Sequence, residues 1–399
     1  MNQPEKRVSR RLRRIITFVV CGALLVTLTV FYFADAPMPT GEGLERTWGP
    51  PGTADWESVI SGDAMTAARQ SGDWGPRGWS LVAYNSSRDL ILEVDGYIRK
   101  HADAIEALSA IVDRAPATPL TREQLADEVA FFILDASFQS RVRNDNPAWR
   151  ESLRLLFRFS EFEQTHSRDA DTLWLASEHY FAACSHLADL VRRGHLDEHL
   201  LDVEGFLGTP YHREFPWSEY AIRDYHYGRE MLVRWLADDR ESKPRRFKPG
   251  LVLRRAERLC LEVSKETDIW RIANWGPEKL PWWRSWIDPH SDEYLEDHCH
   301  RLQYAAVLHW ARTKTGPFFV DLAVAIRRYE LDHQQLPQNL QKLVPTYLDH
   351  LDPSPFGMSL SWDSGSGTAV TLMPQKYQTY DELTGSVHWD FPCPFTGER

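Results

Sequence analysis

An uncharged stretch of nineteen residues, Ile15 to Phe33, constrains this chain more than any other feature of its sequence. Because a helix rises about 1.5 Å per residue, the stretch would span roughly 28 Å, the hydrocarbon thickness of a bilayer. We therefore predict a transmembrane helix over residues 15–33. Its apolar anchor side chains include Ile15, Phe18, Leu24, Leu25 and Phe33.

Six basic residues lie in the preceding segment, residues 1–14. The positive-inside rule places this segment in the cytoplasm and residues 34–399 on the other side of the membrane. Ala34-Asp35-Ala36 also has the shape of a signal-peptidase site, so a cleaved signal peptide is the alternative. A signal's apolar region is usually only about 7–15 residues, and Pro37 would follow the cut. We favour an uncleaved, single-pass anchor.

The rest of the chain is acidic. Outside the first 33 residues it has 40 basic and 56 acidic residues. Such a body repels nucleic acid and anionic headgroups, so we expect no nucleic-acid partner and bilayer contact through residues 15–33 alone. The cysteines outside the span are too few and too scattered for a disulfide framework, although one or two bridges remain open: Cys184, Cys260, Cys299 and Cys393.

Four Pro and four Gly lie between residues 35 and 55. We therefore predict that residues 34–55 form a stalk. Residues 56–316 show helical periodicity and few strand signals. Their clearest helix is predicted at 173–191, with Gly194 beyond its end, and its apolar stripe comprises Leu173, Ala176, Tyr180, Ala183, Cys184, Leu187, Leu190 and Val191. We predict a mainly α fold in which antiparallel helices form the extracytoplasmic body.

The tail, residues 317–399, has a different pattern. One helix is predicted from Pro317 through Tyr329, and a second from Leu336-Pro337 to Pro345. Two strand-like runs, 358–362 and 368–373, flank a Gly- and Ser-rich turn. The tail is therefore predicted to be a small α+β unit with a β-hairpin.

Residues 318–362 also resemble a known segment. The matching positions are Tyr329, Leu336-Pro337, Leu340, Leu343-Val344-Pro345, Tyr347-Leu348, Asp352-Pro353 and Phe356-Gly357. They resemble the C-terminal part of a family of uncharacterised membrane-anchored bacterial proteins, which is itself similar to the globular part of type II secretion pseudopilins. The resemblance implies a fold for the tail and no catalytic residues. Gln334 and Gln335 depart from it where a Gly is usual, and the N-terminus has no prepilin cleavage site, which argues against a pilus subunit.

Two histidine clusters suggest metal binding. His195 and His199 fit the H-x-x-E-H pattern, in which two His one turn apart hold zinc. Leu196 and Leu200 already define a core stripe there, so chance spacing on the flank of a packed helix is the preferred interpretation. In 296–300, His298 and His300 point about 200° apart on a helix and cannot share one ion. We therefore expect no metal or other cofactor.

A tryptophan-rich stretch, residues 270–290, carries the remaining chemistry. Exposed indoles beside carboxylates can stack on sugar rings and cleave glycosidic bonds. The candidate glycan contacts are Trp275, Trp282, Trp283, Trp286, Glu278 and Asp288, with Asp292 as a further candidate acid. Packing of these indoles onto the helical body is the simpler interpretation.

The sequence has no Gly-rich phosphate loop, nucleophile elbow, CxxC pair or HExxH motif. We therefore expect a non-enzymatic cell-envelope scaffold or interaction module with an envelope protein partner that the sequence does not identify. A glycan-binding or glycan-cleaving protein centred on the tryptophan stretch is the alternative.

Overall fold

The computed structural model describes residues 16–26, 37–39, 44, 59, 62–70, 95–112, 128–166, 170–192, 194, 202–203, 205, 217–237, 249–266, 313–314, 316–351, 359–364 and 368–372. The fold is mainly helical, as the sequence predicts. Outside the N-terminal segment, the helices of the described residues include α1 (Asp63–Gln70), α2 (Ala102–Ile111), α3 (Glu128–Arg143), α4 (Trp149–His166), α5 (Ala170–Arg192), α6 (Trp217–Ala237), α7 (Pro249–Val263) and a helix, α8, that includes residues 316–333.

The chain divides into two compact units. Among the described residues, the first unit comprises 16–26, 37–39, 44 and 225–265, and the second comprises 59–224, 266 and 313–372. The boundary falls within α6, between Asp224 and Tyr225.

Three consecutive helices build the core of the second unit, where α4 packs against both α3 and α5. All eight residues of the predicted stripe of α5 are buried, which confirms that prediction. Burying a large apolar side chain stabilises the fold by about 1.5–3 kcal/mol, so this stripe fixes the orientation of α5. Gly194 follows the helix with a φ of 70°, a conformation that glycine adopts without strain.

Helix α8 has two apolar faces. Val320, Ala323 and Val324 belong to the same hydrophobic core as α3, α4 and α5. Leu322 and Tyr329 belong to a second cluster, together with Leu340, Leu343 and partly buried Trp362. The helix predicted from Pro317 is confirmed, and α8 joins both clusters.

The predicted helix from Leu336-Pro337 to Pro345 is wrong. The structure has a 3-10 helix of four residues there, Leu340–Leu343. Its amides bond three residues back, from Lys342 to Asn339 and from Val344 to Gln341, and Pro345 has no amide hydrogen to continue the helix. Gln334, at a position where the resembling family has Gly, takes a positive φ of 55°.

Two strands follow, β1 (Ser359–Asp363) and β2 (Thr368–Leu372). They pair antiparallel, with Ser359 opposite Leu372 and Asp363 opposite Thr368. The indole Nε1 of Trp362 donates to the carbonyl of Pro337 at 2.9 Å, which ties β1 to the segment before the 3-10 helix.

The predicted membrane span is described only from residue 16 to 26, where it is helical. Over the part of the chain covered by the structure, no helix combines the length and the apolar character that a bilayer crossing requires.

The predicted stalk, 34–55, is described at four positions, and two of them are buried. Pro39 is buried, and Leu44 is 1% exposed. The carbonyl of Leu44 lies 2.7 Å from Nε2 of His226, and the carbonyl of Pro37 accepts a hydrogen bond from Arg254 at 3.2 Å. These residues therefore contact the first unit instead of standing clear of it.

Candidate functional site

The site residues predicted from sequence lie outside the described part of the chain. This applies to the glycan and metal candidates Trp275, Trp282, Trp283, Trp286, Glu278, Asp288, Asp292, His195, His199, His298 and His300. Within the described ranges, no group of three or more His, Cys, Asp or Glu side chains is placed to hold a metal ion. The glycan and zinc hypotheses therefore stay predictions.

The described residues bring together a different constellation, two pairs of histidine and carboxylate inside the second unit. Both histidines belong to α5, and His179 and His186 lie seven residues, or two turns, apart. This spacing places them on the same side of α5, about 10 Å apart along its axis. Each reaches a carboxylate on a different helix, Glu163 on α4 and Asp135 on α3.

The first pair is fully enclosed. Nδ1 of His179 lies 2.6 Å from Oε2 of Glu163, and the two side chains are 0% and 1% exposed. The imidazole stacks face to face on Phe131, with ring centroids 3.9 Å apart and planes 1° apart. Burial raises the pKa of Glu163, and the charge and hydrogen bond of His179 oppose that shift only in part. The carboxyl of Glu163 therefore keeps its proton to a higher pH than an exposed glutamic acid does.

The second pair is partly open. Nε2 of His186 lies 2.5 Å from Oδ1 of Asp135, with side chains 18% and 9% exposed. Nε2 of Gln139 donates to the other carboxylate oxygen at 3.2 Å, which fixes its orientation. Burial alone would lower the pKa of His186, but the charge and hydrogen bond of Asp135 and the charge of Asp189 raise it overall. The imidazolium form is thus favoured at this position.

Cys184 lies between the two histidines in sequence but on another face of α5, because its side chain projects about 140° away from His179 and about 160° away from His186. Cys184 is fully buried, and a Cβ added to Gly316 of α8 would lie 3.0 Å from its Cβ and 3.1 Å from its Sγ. Burial raises the pKa of the Cys184 thiol well above its usual range, so it stays protonated and is a poor nucleophile. Cys184 and Cys260 are thiols, which excludes both from the bridges that the sequence left open.

The arrangement ties three helices together rather than opening on a reaction site. A substrate cannot reach His179 or Glu163 because neither has significant exposure. His186 and Asp135 have the geometry of an oriented general base, but the thiol of Cys184 stays protonated and projects from another face of α5. The chemistry that these four residues support is a proton-dependent cross-link between α3, α4 and α5.

Sequence reasoning missed both pairs. The burial of Glu163 was predictable, because it lies four residues after Phe159 and seven after Leu156 on the buried face of α4. The burial of His179 was also predictable, because it directly precedes Tyr180 of the α5 stripe. Such positions indicate buried polar groups, but nothing local identifies partners that are 16 and 51 residues away.

Comparison with known proteins gave no match, either to a family model, to a curated protein or to a solved structure.

Proposed function

We propose that this chain is a single-pass membrane protein and a non-enzymatic scaffold or interaction module of the cell envelope. Residues 15–33 form its anchor, its N-terminus is cytoplasmic, and its helical body is extracytoplasmic. The observation that supports the anchor is the surface of residues 16–26. All eleven of these helical residues are exposed, although they carry no charge.

The exposure is large at the apolar positions. Phe18 is 78% exposed, Leu25 is 69% and Val19 is 64%. Each square ångström of apolar surface left in water forgoes about 25 cal/mol. A helix that is apolar on every side needs an apolar environment on every side, and lipid supplies it. The basic residues before Ile15 support the proposed orientation.

The enclosed histidine pairs support a non-enzymatic body. Each pair connects α5 to a neighbouring helix, and the buried thiol of Cys184 on α5 is not activated. The resemblance of residues 318–362 to pseudopilins implies a fold for the tail and no catalytic residues, which agrees with this proposal. The partner would be another envelope protein. A glycan role would rest on the tryptophan stretch alone.

The anchor can be tested by fractionation of cells that express the full chain. Val20→Arg with Leu24→Arg adds two charges on one side of the helix, at a cost of about 5–7 kcal/mol for insertion. We expect the unaltered chain to stay with membranes after alkaline carbonate washing and the double variant to be released. Val233→Arg with Leu331→Arg is the matched control, because it adds the same charges at other exposed apolar positions. Retention of the anchor variant would contradict the proposal.

The scaffold role predicts a stable neighbour. Cross-linking in intact envelopes should join the body to the same protein in repeated captures, and the anchor variant should lose that product. Protease added outside the cytoplasmic membrane should digest the body and spare residues 1–14. Digestion from the cytoplasmic side would reverse the proposed orientation.

A further inference from the structure

A short basic stretch stands out in this acidic chain. Residues 243–258 contain seven basic residues and one acidic residue, whereas the whole chain has a net charge of −11. Four of the basic residues precede α7, and three lie within it: Arg254, Arg255 and Arg258. A cluster of this density indicates an anionic partner.

Helix α7 presents part of this charge to solvent. Its buried face is apolar and comprises Gly250, Val252, Leu253, Ala256, Cys260 and Val263. Arg254 and Arg258 are exposed, and they lie one turn apart, so their guanidinium groups share a face. This exposed face of Arg254 and Arg258 is called the arginine face below.

The arginine face is tied to the segment that leaves the anchor. Nε of Arg254 donates to the carbonyl of Pro37, and burial of Leu44 holds the same segment on the first unit. Pro37 is only four residues beyond Phe33, and four extended residues reach at most about 14 Å. Arg254 is therefore tethered close to the point where the proposed span ends.

This proximity identifies an occupant. At physiological salt, charges act over about 8 Å, so headgroups respond to the nearest side chains and not to the net charge of the body. A basic residue close to a leaflet that contains anionic lipid gains roughly 1 kcal/mol from the attraction, on whichever side of the membrane that leaflet lies. Nucleic acid is a poor fit, because the proposed orientation places this face outside the cytoplasm.

We propose that the arginine face binds anionic phospholipid headgroups of the bilayer that holds the anchor. The inference rests on the proposed function, since it needs residues 15–33 in the membrane. The first unit then lies against the lipid surface. This differs from the expectation that the anchor helix alone contacts the bilayer, because local charge outweighs net charge at this range.

The proposal can be tested with the full chain in lipid nanodiscs. A donor dye is attached at Glu262→Cys, an exposed position on α7, after Cys21, Cys299 and Cys393 are replaced by Ser. Energy transfer to a dye-labelled lipid then reports how close α7 lies to the bilayer. We expect greater transfer in nanodiscs that contain phosphatidylglycerol than in phosphatidylcholine alone, and loss of the difference in high salt.

Charge reversal provides the decisive variant. Arg258→Glu changes the local charge by two units, and each unit at a membrane surface contributes roughly 1 kcal/mol. We therefore expect the ratio of docked to undocked protein to fall about 30-fold. Lys100→Glu is the matched control, an exposed basic residue of the second unit that should leave transfer unchanged. Equal transfer in both lipids, or an equal effect of both variants, overturns the docking.

Co-elution with nanodiscs separates this proposal from the anchor. Chain that co-elutes without a lipid-dependent change in transfer refutes the arginine face and leaves the anchor intact. Chain that elutes free of nanodiscs refutes the anchor and the docking together.

Discussion

Helix α5 buries polar side chains, whereas the helical segment 16–26 exposes apolar ones. In α5, two polar histidines are turned toward the protein interior, and each has a carboxylate partner there. In residues 16–26, large apolar side chains face outward on every side. The comparison teaches that each helix follows its surroundings: carboxylate partners within the chain make buried polar groups tolerable, whereas exposed apolar groups indicate a partner outside the chain.

The enclosed pair in α5 should give the largest stability effect. His179→Leu removes the imidazole that contacts the Glu163 carboxyl and leaves that carboxyl buried, at a cost of about 3–5 kcal/mol. Urea unfolding of the second unit measures this loss. His350→Leu, at an exposed histidine, is the control and should change stability by less than about 0.5 kcal/mol.

A double variant sharpens the same point. His179→Leu with Glu163→Leu replaces the whole pair by apolar groups and should regain most of the lost stability. An additive loss in the double variant would mean that the two side chains act independently, and the cross-link between α4 and α5 would have to be abandoned.

Substitution of two glycines compares how tightly the two regions are packed. Gly316→Ala would place a Cβ 3.0 Å from that of Cys184, so we expect a loss of about 1–3 kcal/mol from overpacking. Gly22→Ala meets nothing within 4 Å and should not destabilise the protein, because alanine favours a helix. Thermal unfolding measures both. Equal losses would show that residues 16–26 pack as tightly as the helices of the core.

The pH dependence of stability should give a smaller effect. Both shifted groups bind a proton more tightly when folded, so stability falls as pH rises. For Glu163 the fall begins above the ordinary pKa of 4.5, and for His186 it begins above 6.5 and ends above its raised folded pKa. Asp135→Asn removes the carboxylate that raises the pKa of His186. When the unfolding midpoint is plotted against pH from 5 to 9, the variant should lose only the upper part of the slope. An unchanged profile would exclude this pair as a source of the pH dependence.

Sequence predicted the fold best where one pattern has one structural solution. The apolar stripe of α5 defined a single buried face, and all eight of its residues are buried. The segment after Leu336 was less decisive, because Leu340 and Leu343 are three residues apart, a spacing that α and 3-10 helices both satisfy. The two histidine pairs could not be predicted as pairs, since contacts between distant residues leave no periodic signal.

The prediction for the N-terminal stretch comes from its composition and not from a periodic pattern. Its composition makes the strongest prediction in the chain, and the described helix covers eleven of its residues. Exposure of those residues supports the proposed anchor, because lipid supplies the apolar surroundings that such a surface requires. Pro37 and Leu44, by contrast, lie in a segment with the composition of a free stalk. Their contacts with Arg254 and His226 join residues more than 180 positions apart and could not be predicted from that composition.

The most direct test is the depth of Cys21 in a bilayer. Cys21 is exposed, whereas Cys184 and Cys260 are buried, so a spin label on the reconstituted full chain with Cys299→Ser and Cys393→Ser reports residue 21. An anchor helix predicts that the label collides with dissolved oxygen far more often than with a water-soluble nickel chelate, because oxygen concentrates in the hydrocarbon. If the chelate instead reaches Cys21 as readily as it reaches a label at exposed Ser361→Cys, residues 15–33 do not lie in the membrane.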